Sequence, residues 1–168
     1  MRNEEKLNLA LEKCKQQLNE LGIQYGNVLK ITENKKAKKR LGQCKNVSLG
    51  VYEIDISSVL LDERVPEMTL RTTVMHELLH TCNGCMNHGA LWKSNAEMVN
   101  HAYSYHIKRA ASVEERGIAD VVREVNKPKY VFECIQCGAK IYRHRESKFT
   151  RNYERYRCGK CGGHLIKK

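Results

Sequence analysis

No run of 18 apolar residues occurs in the sequence, which excludes a membrane-spanning helix of the usual length. The first residues, Met-Arg-Asn-Glu-Glu-Lys, lead into an amphipathic repeat instead of an unbroken apolar stretch, so no secretory leader is expected. Without a leader, eight cysteines point to reduced thiols and bound metal, not disulfides. The expected location is the cytoplasm, or the nucleoid or nucleus if the chain binds DNA. Acidic charge is also short: 19 Asp and Glu stand against 30 Lys and Arg, a formal net charge of +11. The surplus sits at one end, where residues 128–168 hold 11 Lys and Arg against three Glu. Such a patch attracts phosphate backbones with salt-dependent affinity. Proline is scarce, and both copies read as boundaries. Pro66 suits the first turn of a helix, where its missing N–H costs nothing, and Glu67 there favours the helix dipole. Pro128 disfavours helix in the residue before it. It divides the chain into domains 1–127 and 128–168, as the length of one domain plus a small module allows.

Among what is present, residues 72–92 stand out, because His76-Glu77-Leu78-Leu79-His80 has the form H-E-x-x-H. In a helix, residues four apart lie one turn above each other with β-carbons roughly 5–6 Å apart. Both imidazoles can then close on one cation at about 2.0–2.1 Å. Glu77 lies one step round the helix, placed to take a proton from water at that cation and not to ligate. Leu70, Val74 and Leu78, with Met75 and Leu79, supply an apolar stripe on the other side, and the helix is expected over about 66–82. A merely structural helix would leave two solvent-facing histidines with no third partner.

A catalytic zinc takes three protein ligands and leaves one position open. His88 is the best third ligand, because Asn83-Gly84 can end the helix and turn the chain back. Glu97 and His101 are the alternatives, on a following helix expected over about 90–109. That helix is expected to bury Leu91, Ala96, Met98, Val99, Ala102 and Ile107, with Trp92 bracing the loop that presents His88. Tyr103, Tyr105 and His106 could stabilise an oxyanion across the cleft, but aromatics at helical spacing are usually packing, and none of the three is taken as catalytic. Cys82-Asn83-Gly84-Cys85 could be a redox pair, half a metal site or a constraint on the His88 loop, and Cys44 is uninformative.

Elsewhere, Leu7, Leu11, Cys14, Leu18 and Leu21 recur at spacings of four and three, a helix closed by Gly22. Strands are expected over about 28–32 and 47–56, the second with Tyr52, Ile54 and Ile56 on one face. Between them Lys35-Lys36-Ala37-Lys38-Lys39-Arg40 reads as a solvated loop, or as a cluster holding DNA near the cleft. Ser112-Val113-Glu114-Glu115 has the form of a capping box, opening a helix through Ile118, Val121, Val122 and Val125.

His76-Glu77-x-x-His80, a short loop, then His88-Gly89-x-x-Trp92-Lys93 resembles the SprT-like family of zinc metalloproteases, which includes the DNA-dependent protease Spartan. Arg40-Leu41-Gly42-Gln43-Cys44 and Tyr52-Glu53-Ile54-Asp55-Ile56 are similar to the family's stretch before its active-site helix, and the layout covers roughly residues 1–110. The resemblance implies an α+β, zincin-like fold. It also implies His76, His80 and His88 as ligands of a catalytic zinc, and Glu77 as base. Substrates would be proteins on DNA, including covalent DNA–protein crosslinks. The two cysteines between the ligands depart from the pattern. By analogy with zincins in general, an edge strand beside the helix would hold substrate in extended form.

Cys134-x-x-Cys137 and Cys158-x-x-Cys161 form a second metal signal, C-x2-C-x20-C-x2-C, near the edge of the zinc-ribbon spacing range. Each pair makes a knuckle, with Gly138, Gly159 and Gly162 for the tight turns, and two knuckles close a tetrahedron around a structural zinc. So short a module has almost no core, and metal must supply much of its folding energy. Between the knuckles Arg143, Arg145, Arg151, Tyr153, Arg155 and Arg157 interleave cationic and aromatic side chains. That composition suits stacking on unpaired bases of single-stranded DNA while gripping phosphates, though the tyrosines could equally stiffen the ribbon.

The expectation is therefore a zincin-like metallopeptidase domain followed by a small β zinc ribbon, acting as a monomer with two Zn²⁺, protein substrates and a DNA partner, away from membranes. The rival is a nucleic-acid-binding adaptor whose peptidase fold performs no chemistry. A hydrolase of small non-peptide amides is a third reading.

Overall fold

The computed structural model describes residues 2–37 and 40–168, so Lys38 and Lys39 of the basic run lie outside the described residues. The chain divides into two compact units, Met1–Val122 and Arg123–Lys168. The division falls before Pro128 because a proline marks where a helix must stop, whereas packing changes already within α4 (Ala119–Val125).

In the first unit α1 (Asn3–Glu20) buries Leu7, Leu11, Cys14 and Leu18 at the spacing of one helical face. Gly22, at φ +67, ends it. Each such leucine contributes about 1.5–3 kcal/mol when removed from water. Packed against α1 are α2 (Glu67–Leu79) and β1 (Asn27–Asn34).

The expected strand over 47–56 is two strands, β2 (Gly42–Ser48) and β3 (Val51–Ser57), folded back at Leu49 and Gly50. Gly50 takes φ +70 for that turn. Apolar alternation changes phase there, from Val47, Leu49 and Val51 to Tyr52, Ile54 and Ile56, a break that the expectation of one strand passed over. Tyr52, Ile54 and Ile56 are buried on one face as expected, while Val47 is half exposed and Leu49 fully so. The sheet order is β1-β3-β2, with β1 parallel and β2 antiparallel to β3. Among the described residues β2 has a partner on one side only.

Buried on nearly every side, α2 carries Leu70, Thr73, Val74, Met75, Leu78 and Leu79 into the interior. It is shorter at both ends than expected, and Pro66 stands just outside it as the N-cap. α3 (Ala90–Tyr103) stops six residues before Arg109, at Ser104 in the left-handed region with φ 55. The Asn100 side chain fixes the return: Nδ2 donates to the Ile107 carbonyl at 3.0 Å and Oδ1 accepts from its amide at 2.8 Å. Trp92, Ala96 and Val99 form the buried face of α3; Leu91, Met98 and Ala102 are exposed, contrary to expectation, because they flank that stripe. Ile107 is buried, but from the loop.

Ser112 and Glu115 do form the reciprocal capping box, at 2.8 and 3.1 Å. The box closes only a turn over residues 113–117, which ends at Gly117 with φ +67, and the helix itself, α4, begins at Ala119. In the second unit β4 (Tyr130–Cys134) lies between β5 (Lys140–Arg143) and β6 (Leu165–Lys167), all antiparallel. A one-turn helix, α5 (Lys148–Arg151), is capped by Ser147 and Thr150. Phe132, Cys134, Cys158 and Leu165 make its small interior. No helix among the described residues is long and apolar enough to cross a membrane.

Candidate metal centre and catalytic cleft

His76 lies in the last turn of α2, His80 is its C-cap, and Gly84 at φ +72 turns the chain so that His88 returns. One nitrogen of each of the three rings falls within 4.8 Å of the others. The His76 and His88 Nε2 atoms are 3.1 Å apart. Two nitrogens sharing a tetrahedral zinc at about 2.0–2.1 Å stand about 3.3 Å apart, so the donor set fits the ion.

Second contacts orient the rings. His80 Nδ1 donates to the Cys85 carbonyl at 2.8 Å, which leaves its Nε2 lone pair free. The Lys108 backbone plays the same part for His76. Trp92 packs against all three rings, with centroids 4.8, 5.6 and 4.5 Å from His76, His80 and His88. Burial, then the neighbouring His80 and His88, pushes His76 down to about 3. Burial lowers His80 and His88 too. The rings are neutral near pH 7, the form that binds metal.

Glu77 is buried beside this triad in a cleft of about 310 Å³ lined by Arg40, Gly42, Thr73, His76, Arg109 and Arg116 among others. Burial pushes its carboxyl up to about 7, against the Cys44 amide and the charges of Arg40 and Arg116, which favour ionisation. The β2 backbone runs so close that a β-carbon on Gly42 would stand 2.5 Å from Glu77 Oε1. Gly42 thus makes room for the carboxylate.

Glu97 and His101 are exposed on α3 and outside the histidine cluster. Tyr103 and Tyr105 do not face the cleft. Tyr103 donates to Glu20 and the Gln17 carbonyl, Tyr105 to the Gln17 side chain at 2.8 Å, so both tie the loop to α1. His106 lines an adjoining cavity with Met68, Thr72 and Lys108, which shares Ala111 and Arg116 with the cleft of Glu77. Cys82 and Cys85 belong to no metal cluster among the described residues. They are buried, and the Cys85 amide bonds the Cys82 carbonyl at 3.0 Å, closing the turn whose next carbonyl holds His80. Burial pushes the Cys82 thiol up to about 12. Arg116 was not anticipated. It enters the cleft from the turn over residues 113–117, and nothing in its sequence neighbourhood signals that approach.

In the second unit one Sγ from each of Cys134, Cys137, Cys158 and Cys161 lies within 4.8 Å of the others. The cross-knuckle distances are 3.5 Å for Cys134–Cys161 and 3.6 Å for Cys137–Cys158. Tetrahedral zinc with Zn–S of about 2.3 Å sets sulfurs about 3.8 Å apart, so this donor set fits as well. The Cys137 amide draws Cys134 down to about 6 against a cost of burial, and the Lys160 and Cys161 amides lower Cys158. Gly138 and Gly162 take φ +68 and +76. Gly159 does not, and Gly163 is the tight position, where a β-carbon would stand 2.9 Å from Cys134 Sγ.

Arg143, Arg145, Arg151, Arg155 and Arg157 are exposed. Arg143 lies over the Phe149 ring, 5.2 Å from its centroid. Tyr153 packs on Phe132, with ring centroids 5.1 Å apart, as part of the interior. The exposed tyrosines are Tyr142 and Tyr156.

Residues 11–113, from α1 through α3 and all three clustered histidines, match the SprT-like family. The chain belongs to the SprT-like family. A relative, the germ cell nuclear acidic-1 protein of Caenorhabditis elegans, is 28% identical over 148 residues. The alignment covers 82% of this SprT-like chain and 25% of that protein, so the chain spans about a quarter of the relative's length. The SprT-like match ends before Arg116 and before the cysteine ribbon.

Proposed function

We propose that this SprT-like chain is a zinc-dependent metalloendopeptidase that cleaves proteins bound or crosslinked to DNA. The observation that carries it is the convergence of His76, His80 and His88 nitrogens within 4.8 Å, with the Glu77 carboxylate buried in the adjoining cleft. His76, His80 and His88 would hold the catalytic zinc, and Cys134, Cys137, Cys158 and Cys161 a structural one. Zinc in the histidine cradle supplies Lewis acidity toward water and toward a carbonyl oxygen.

Glu77 supplies the base. A carboxyl poised near 7 takes a proton from the attacking water and gives it to the departing amine at neutral pH. The open side of β2 offers backbone donors and acceptors to an extended peptide beside Glu77. Trp92 holds the three rings and keeps water from their far side. All these groups come from one chain, so a monomer suffices.

DNA association is read from the exposed arginines of the ribbon, with Tyr142 exposed to stack on an unpaired base; Tyr156, the other exposed tyrosine, packs against Phe149 with ring centroids 5.1 Å apart. The relative's name marks that protein as nuclear, and we place this chain with DNA, in a nucleus or nucleoid.

The test incubates wild type and Glu77→Gln with a DNA-bound protein, with and without single-stranded DNA, while zinc per chain is counted. Wild type should cut when DNA is present, and Glu77→Gln should retain zinc and cut nothing. A wild type that binds zinc and DNA yet cleaves neither the substrate nor itself would leave the adaptor reading in place.

A further inference from the structure

Arg116 reaches the cleft from beyond the matched family segment and is anchored on α2. Its Nη1 donates to Thr73 Oγ1 at 2.8 Å and its Nε to the Ala111 carbonyl at 3.4 Å. Its own carbonyl accepts from Thr69 Oγ1 at 3.3 Å. Thr69, Thr73 and Glu77 follow each other at helical spacing on one face of α2. The guanidinium is therefore pinned one turn from Glu77, in the cleft that Glu77 and His76 also line.

Both of its side-chain acceptors are neutral, a hydroxyl and a carbonyl. The carboxylates of Glu77 and Glu115 act on this half-buried cation through charge and not through a hydrogen bond, and the two N–H groups of Nη2 have no hydrogen-bond partner among the described residues, so they stay available to a ligand. Arg40 and Arg109 line the same cleft but are exposed, where a charge is screened and free to move. Only Arg116 is preorganised.

We propose that Arg116 is a catalytic residue that donates to the peptide oxygen on which negative charge builds during hydrolysis. The assignment rests on the peptidase reading above. In the step it serves, water forms a C–O bond to the carbonyl carbon and its proton passes to Glu77. The carbonyl π pair becomes a lone pair on the oxygen facing Arg116. Collapse re-forms C=O, breaks C–N, and the amine takes the proton from Glu77. Arg116 stays protonated throughout. A fixed donor aimed at developing charge costs no reorganisation when the charge appears, and losing one such donor typically lowers kcat about 10²–10³-fold.

The experiment compares full-length wild type, Arg116→Ala and Arg116→Lys in separate kcat and KM measurements, zinc counts and circular dichroism. It adds calorimetric affinities for a phosphonamidate peptide, which mimics the tetrahedral anion, and for an uncleaved peptide of the same sequence. Arg116→Ala should keep two zinc ions and its helical signal. Its kcat should fall about 10²–10³-fold, with KM changed only a few-fold. Phosphonamidate binding should weaken by a similar factor while the uncleaved peptide binds as before, and added guanidinium ion should restore part of the rate. Arg116→Lys, which keeps the charge without the forked donors, should show the same split and guards against a folding defect in the alanine variant. Unchanged kcat, a loss confined to KM, equal weakening of both peptides, or full activity with lysine would each overturn the assignment. If wild type cuts nothing, the peptidase reading fails and takes this role with it; if wild type cuts and Arg116→Ala cuts equally well, only this role fails.

Discussion

At the residue scale, the identity of Gly42 follows from Glu77. Its φ is not in the left-handed region; what demands glycine is the carboxylate standing where a β-carbon would be. The obstructing atoms belong to the flexible Glu77 side chain, so Gly42→Ala should displace the carboxylate and leave the fold intact. Measured cleavage should fall at least about tenfold, the price of 1.4 kcal/mol in the barrier, with zinc content and melting temperature near wild type. Unchanged cleavage would show that the carboxylate has room to spare. The His-Glu pair was legible because helical spacing is a local rule, and two imidazoles a turn apart must share surroundings. Arg116 was not, since a loop chooses its neighbour only after the chain has folded. Tyr103 and Tyr105 pack as aromatics at helical spacing usually do, their hydroxyls bonded to α1.

At the scale of elements, the central position of α2 fixes the cleft, and its apolar side tolerates little change. Leu78 is wholly buried there. Leu78→Ala should lower unfolding free energy by about 2–5 kcal/mol, read from urea titration followed by Trp92 fluorescence. Leu91→Ala is the contrast. Leu91 reads in the sequence as a core residue of α3, but it is 61% exposed, so its removal should cost no more than about 0.5 kcal/mol. Equal losses at the two positions would contradict the observed face of α3. Helix periodicity located the element correctly and its buried edge only roughly, because several apolar residues crowd one side and packing selects among them. The β2–β3 reversal escaped although it leaves a mark: at the turn the apolar residues pass from odd positions, Val47, Leu49 and Val51, to even ones, Tyr52, Ile54 and Ile56.

For the whole molecule, the two units differ in what holds them together. Met1–Val122 has an apolar interior built from three helices and a sheet, whereas Arg123–Lys168 encloses little beyond Phe132, Leu165 and two of its cysteines. Chelation should therefore melt the second unit and spare the first. Hydrogen exchange after treatment with a strong zinc chelator should show amides of β4, β5 and β6 exchanging freely while those of α1 and α2 stay protected. Protection of both units without metal would mean that packing alone sustains the ribbon. This division was readable from the paired C-x-x-C motifs, whose chemistry is local, and the basic charge of the tail was plain from composition. Pro128 announces a helix end, whereas contacts divide the chain between Val122 and Arg123.

The unpaired side of β2 limits what the cleft can grasp. Lys45 and the irregular register between Asn46 and Ser48 spoil any long ladder there, as charges and bulges do on exposed sheet margins generally. Only a few consecutive residues around Gly42 could be matched by an incoming backbone, since the Cys44 amide already donates to Glu77. A polypeptide already engaged in its own helices and sheets has no such stretch to lend. If the chain is the peptidase proposed above, its targets would therefore have to arrive slack at the point of scission, in a tail, a linker or a region worked loose beforehand.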